Sequence, residues 1–214
     1  MNNPWKSIEL SDYENHMGLD NVRQLQALNA MMREQFFSYR VKSVMILGVA
    51  GGNGLEHIKI GDFERVYGVD INQEYLAECE RRFPSLSGVL ETICADLLGD
   101  NLTLPHSELL IADLLLEYIG YECFKKVVEL VNPKYVSCVI QINTDNSFVS
   151  DSPYLHKFDR LDEVHCQIDP KELNKVMLEI GYAQESQTKT DLPNGKKLIK
   201  TDYRFNNRKG FINV

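Results

Sequence analysis

The sequence predicts an α/β domain built on a doubly wound, mostly parallel sheet. Two observations carry that prediction. From Ser43 to Asn143, short apolar runs alternate with helix-patterned stretches, and strands apolar along their whole length belong to parallel sheets covered on both faces. After Pro170 the alternation closes with one helix and two β-patterned stretches joined through "DLPNG". Such a hairpin makes the end of the sheet antiparallel.

The elements follow in order. Ser11 and Glu14 stand at capping-box spacing and Gly18 ends a short first helix. Asp20 then caps a longer helix, whose Val22, Leu25, Leu28, Met32 and Phe36 recur at helical spacing. Residues 1–40 are thus expected as a helical extension and 41–214 as the α/β domain. The expected strands are "SVMILGV", "RVYGVDI", "GVLETICAD", "SELLIADLL" and "KYVSCVIQIN". "GLEHIKI" is expected to open a helix after the first strand. "NQEYLAECERRF" is a helix capped by Asn72 and stopped by Pro84, and "GYECFKKVVELV" puts Phe124, Val127, Val128 and Val131 on one face. In the last strand Ile199, Thr201, Tyr203 and Phe205 share one face; Lys200, Asp202 and Arg204 share the other. Residues 143–169 lack periodicity, and loops of that length are usually functional or inserted.

Composition narrows the function. The 214 residues are 43% hydrophobic and 25% charged, with a net charge of -8. An acidic chain without a basic block is a poor holder of a phosphate backbone, so no nucleic-acid partner is expected. No apolar run reaches the ~18 residues of a membrane span, and the N-terminus lacks the apolar core of a secretory signal. The five cysteines, Cys79, Cys94, Cys123, Cys138 and Cys166, are odd in number and form no C-x-x-C pair. They read as reduced thiols of a cytoplasmic protein, and no metal is expected.

The chemistry gathers around "VMILGVAGGNG", residues 44–54. A strand running into a glycine-rich turn brings bare backbone N–H groups to a ligand, and a following helix would add its positive end. A purely structural turn is the competing reading. No Lys and Ser/Thr follow as a P-loop requires, and the glycines miss the G-x-G-x-x-G spacing of dinucleotide binders. The second strand ends at Asp70, where a carboxylate can accept ribose hydroxyls beside the first turn. The third ends at Asp96 and the fourth at Asp113. Three acids at one sheet edge suit a cationic ligand carrying hydroxyls and an amine better than a pyrophosphate.

In this motif order the stretch from Val44 to Ile142 resembles the class I S-adenosylmethionine-dependent methyltransferases, a Rossmann-like family. The resemblance implies a seven-stranded sheet of order 3-2-1-4-5-7-6 with an N-terminal helical lid. It implies S-adenosyl-L-methionine as cofactor and a small-molecule acceptor as partner. The family's acid-x-G-x-G-x-G motif reads here from Gly48 to Gly54: Gly52 and Gly54 match, Gly48 stands where the acid belongs, and Ala50 where the first glycine belongs. With Gly51 these residues are expected at the cofactor, together with Asp70 and Ile71 at the ribose, Ala95 and Asp96 at the adenine, and Asp113 and Leu114 at the methionine end. Glu117, Tyr118, Tyr13 and His16 are the candidates for contacting the acceptor or taking its proton; helix opening and surface packing compete with those roles. Tyr154, His156, Phe158 and His165 are further candidates for lining the acceptor pocket, and Trp5 is expected to anchor the arm. The alternative functions are a non-catalytic binder of the cofactor or its demethylated product, and a nucleotide-dependent oxidoreductase.

Overall fold

The computed structural model describes residues 3–143, 149, 150 and 152–206. Part of the expected aperiodic stretch (144–148 and 151) and residues 207–214 lie outside the described residues. Strands β1 (Ser43–Leu47), β2 (Arg65–Asp70), β3 (Leu90–Cys94), β4 (Leu109–Asp113), β5 (Tyr135–Ile142), β6 (Tyr182–Asp191) and β7 (Lys197–Phe205) form one sheet. Its order is β3-β2-β1-β4-β5-β7-β6, as expected. The first five strands pair in parallel; β7 runs antiparallel to β5 and to β6.

Both faces of the centre are buried because apolar residues occupy alternate and intervening positions alike. Met45, Leu47 and Leu110 point into one core with Phe124, Val127 and Val128 of α4 (Leu116–Val131) and Met177 of α5 (Pro170–Glu179). Val44, Ile46 and Ile111 point into the other, with Leu76 and Cys79 of α3 (Gln73–Arg82). The expected Phe124–Val131 stripe is fully buried. Truncating such a phenylalanine to alanine typically costs about 3–5 kcal/mol. Asn72 caps α3 as expected, its side chain accepting from the N–H groups of Glu74 and Tyr75.

Several expectations fail locally. "GLEHIKI" forms a single 3-10 turn at Leu55–His57, not a helix. Gly61 has positive φ, and the Asp62 carboxylate accepts the Lys59 N–H at 2.7 Å; both favour a turn over helix continuation. The sheet face that such a helix would cover is filled by Met32 and Phe36 of the helix Gln24–Phe37 (α2). That helix is not capped by Asp20. It starts after Arg23, which is left-handed at φ 52°, because Val22 is buried and the turn at Leu19–Arg23 carries it inward. Ser11 lies inside the first helix (α1, Leu10–Gly18), whose N-cap Glu9 makes no side-chain cap bond. Glu14 instead pairs with Arg82 of α3. Two residues of the polar face of β7 are buried too, and Arg204 is exposed: Lys200 reaches Glu34 of α2 at 2.8 Å, and Asp202 accepts from Ser137 and Ser186.

The N-terminal segment is strapped across the carboxyl edge of the sheet. Asn72 donates to the Trp5 carbonyl at 2.9 Å, and the Tyr75 hydroxyl donates to the Ile8 carbonyl at 2.8 Å. No helix among the described residues is long and apolar enough to cross a membrane.

Candidate active site

Two cavities meet at the carboxyl edge. The first, about 740 Å³ with its mouth, lies over the ends of β1, β2 and β4. Gly48, Ala50, Asp70, Ile71, Ala95, Asp96, Asp113 and Leu114 all line it. Asp70 is 9% exposed; its Oδ2 accepts the Ala50 N–H and its Oδ1 the Asn72 N–H, each at 2.9 Å. Burial raises its proton affinity, and those N–H bonds oppose the rise. With the Ile71 N–H also acting on it, the carboxylate keeps acceptor capacity for a ligand hydroxyl. Asp96 is exposed and turns the chain by accepting the Leu98 N–H at 3.1 Å.

Asp113 is the electrostatic anomaly of this cavity. Gln35 of α2 donates to its Oδ1 at 2.8 Å, while Oδ2 is buried with no partner among the described residues. Burial pushes this carboxyl up to about 7. A carboxylate oxygen left without a donor is a place waiting for one, and a ligand ammonium supplies it best.

The glycine turn divides. Gly48 (φ 71°) and Ala50 (φ 46°) bring main chain to the cavity wall. Gly51, Gly52 and Gly54 do not line it. A Cβ on Gly51 would meet Arg82 at 2.6 Å and Glu14 at 2.7 Å; one on Gly54 would meet Met32 at 2.8 Å. At Gly52 (φ 87°) it would meet Phe83 at 2.6 Å and Cys79 at 2.9 Å. These glycines let α1, α2 and α3 close onto the turn. Gly52→Ala is therefore expected to cost about 2 kcal/mol or more in chemical denaturation, through strain and overpacking together. A loss below about half of that would return the space at Gly52 to a ligand.

The second cavity, about 560 Å³, shares Trp5, Tyr13, Leu114 and Tyr118 with the first. His16 and Glu117 complete the set, so all four acceptor-side candidates stand on its wall. Glu117 opens α4 and is 3% exposed. Its Oε1 accepts the Gln141 N–H at 2.7 Å, and Oε2 is buried with no partner among the described residues. Burial pushes the carboxyl up to about 7, against that hydrogen bond. Such a group exchanges a proton near neutral pH. Burial raises the phenols of Tyr13 and Tyr118 too, away from neutral pH, so they stay protonated and able to donate. His16 lies 2.8 Å from the Ser152 hydroxyl, and burial lowers its proton affinity.

Sequence comparison finds no relative: no protein-family model matches the chain, and no curated protein matches it. Solved structures do. The N-methyltransferase NodS from Bradyrhizobium japonicum WM9, in complex with S-adenosyl-L-homocysteine, superposes with a TM-score of 0.66 at 12% identity, over 95% of this chain and 99% of that one. Magnesium protoporphyrin IX methyltransferase from Synechocystis PCC 6803, with bound S-adenosylmethionine, gives 0.62 at 11%, over 94% and 92%. The chain has the class I methyltransferase fold. The cyclase SpnF also shares this architecture, at 0.64 and 9% identity over 86% of this chain and 83% of that one, so the fold admits other chemistry.

Within this methyltransferase fold the long loop supplies Phe158 and His165 to the second cavity. Tyr154 packs nearby against the Ile8–Phe158–Leu161 cluster, and His156 faces solvent beside Asp159. Trp5 anchors the arm, as expected, and also walls both cavities. Gln24 and Gln141 escaped the sequence reading. They lie 117 residues apart, bond to each other through their amides, and form part of the wall. No local pattern marks either one. Among the described residues no group of three or more His, Cys, Asp or Glu is arranged to hold a metal.

Proposed function

We propose that the chain transfers a methyl group from S-adenosyl-L-methionine to a small molecule in the second cavity. The supporting observation is the junction itself: an acid-rimmed cavity opens into one holding a buried carboxylate, across the shared rings of Trp5, Tyr13 and Tyr118. When bound, the cofactor supplies a methyl group already activated by a sulfonium. Asp70 would accept its ribose hydroxyls, and the apolar Ile71, Ala95 and Leu97 would flank the base. Asp113 would take the ammonium of the amino-acid end through its orphan Oδ2. That role answers the substitution of Gly48 for the family's acid: the carboxylate comes from the neighbouring strand.

The chain's part in the reaction is placement and proton handling. Tyr13 and Tyr118 orient the acceptor at the junction, and Glu117 takes its proton. The strapped N-terminal segment excludes water.

Calorimetry with S-adenosyl-L-methionine and S-adenosyl-L-homocysteine tests the cofactor; labelled donor with a metabolite extract tests turnover. Absence of heat with both ligands defeats the proposal. Binding without any labelled product favours the silent binder. Asp113→Asn is expected to weaken S-adenosyl-L-homocysteine about tenfold or more by calorimetry, the value of a charge-assisted hydrogen bond.

A further inference from the structure

The second cavity is built for a cation. Its wall carries the aromatic rings of Trp5, Tyr13, Tyr118 and Phe158, and one carboxylate, Glu117; no lysine or arginine lines it among the described residues. Trp5 meets Tyr13 edge-on at 5.7 Å and Tyr118 edge-on at 5.0 Å, so three rings form a continuous corner. Ring faces attract an ammonium, the more so when water is excluded. Glu117 offers the complementary anion: it is 3% exposed, and its Oε2 has no donor among the described residues.

The phenols, thiols and imidazoles around Glu117 are held toward their neutral forms, while the buried Lys196 and the carboxylate of Asp162 act as charges on the histidines. Burial raises the phenols of Tyr13 on α1 and Tyr118 beside it, and the thiols of Cys138 on β5 and Cys166 on the loop. Burial lowers His16 and His165, with Lys196 adding to the effect and Asp162 opposing it at His165. At pH 8 the ionised Glu117 is the charged side chain on the cavity wall itself, and the Lys196 side chain acts from beyond it on His16 and His165.

We propose that the acceptor is a small primary or secondary amine, bound as an ammonium with Glu117 as counter-ion and proton acceptor and the rings of Trp5, Tyr13, Tyr118 and Phe158 around it. The methylation step rests on the methyl-transfer reading above; recognition of the cation does not. Glu117 removes one N–H proton, which frees the nitrogen lone pair. That pair forms the N–C bond to the methyl carbon of the sulfonium donor. The C–S bond breaks, its electron pair stays on sulfur, and a neutral thioether results. The methylated nitrogen carries the positive charge, and Glu117 returns its proton to solvent.

The test is calorimetric titration at pH 8 with ethanolamine and benzylamine, and with their neutral matches ethylene glycol and benzyl alcohol. Each is run with and without S-adenosyl-L-homocysteine. At least one amine should bind about tenfold more tightly than its alcohol, the preference of a buried ion pair backed by rings. Glu117→Gln keeps an oxygen for the Gln141 N–H, and the preference should vanish in it. Between pH 8 and pH 5.5 the parent should lose about tenfold in amine affinity that the variant does not lose, because Glu117 becomes protonated. Charging of His16 and His165 affects both proteins alike. Alcohols binding as tightly as amines, or a preference that survives in Glu117→Gln, would overturn the inference. If S-adenosyl-L-homocysteine binds and no amine is preferred, the amine site fails while the cofactor reading stands. If the amine preference appears without cofactor binding, the reverse holds.

Discussion

With S-adenosyl-L-homocysteine at about 100 times its dissociation constant, the parent chain should gain about 2.7 kcal/mol of stability, and Asp70→Ala almost none of it. Two functions are lost together in that variant. The carboxylate that would accept ribose hydroxyls is removed. So is the anchor that holds the Ala50 and Asn72 N–H groups, and with them the bare main chain of the cavity wall. Two buried N–H groups without acceptors should lower the variant's own stability by about 1–3 kcal/mol. The quantity to compare is therefore the ligand-induced rise in melting temperature within each protein, not the absolute values. An undiminished rise in Asp70→Ala would remove Asp70 from the cofactor site.

Glu117→Gln should be more stable than the parent at pH 8, and the gap should close below pH 4.5. A carboxyl moved from its ordinary 4.5 to about 7 is worth about 3 kcal/mol between its protonated and ionised states. The folded pKa is the raised one, so the folded chain binds the extra proton between these two values. That stabilising contribution is complete below pH 4.5 and is lost as pH rises through about 7. Glutamine mimics the protonated carboxyl and does not lose it. Asp113 follows the same sign, and the lowered His16 and His165 the opposite one. All three remain in both proteins, so the difference between denaturation curves isolates Glu117. A parent more stable than the variant at pH 8 would mean that Oε2 has found a donor, and the empty counter-ion position would be gone. The same substitution that stabilises the fold should abolish the amine preference, the usual opposition between stability and a charged functional site.

Much of the site was legible because strand ends are legible. Asp70, Asp96 and Asp113 each follow an apolar run, and in a parallel sheet the ends of neighbouring strands converge on one edge. Asn72 was recognisable as a cap, which left Asp70 free for another role. The glycines were less readable. A glycine marks that a side chain is excluded, not what excludes it. At positions 51, 52 and 54 the excluding groups are Arg82, Glu14, Phe83, Cys79 and Met32, which come from three helices. The helix expected after β1 failed for a related reason: α2 had already taken its place against the sheet.

Sequence alone determined most of the strand segments and the acids that end three of them, because the lengths and polarity of apolar runs are local properties that periodicity records; the strand order was what the family resemblance implied, and the structure has it. Tertiary structure decided that Glu117 is buried with an oxygen that no described residue satisfies, that Gln24 meets Gln141, and that Trp5 and Tyr118 form one corner. Burial and long-range contact arise only when the N-terminal helices close over the sheet edge. No spacing along the chain encodes which of its polar groups will then be left without water.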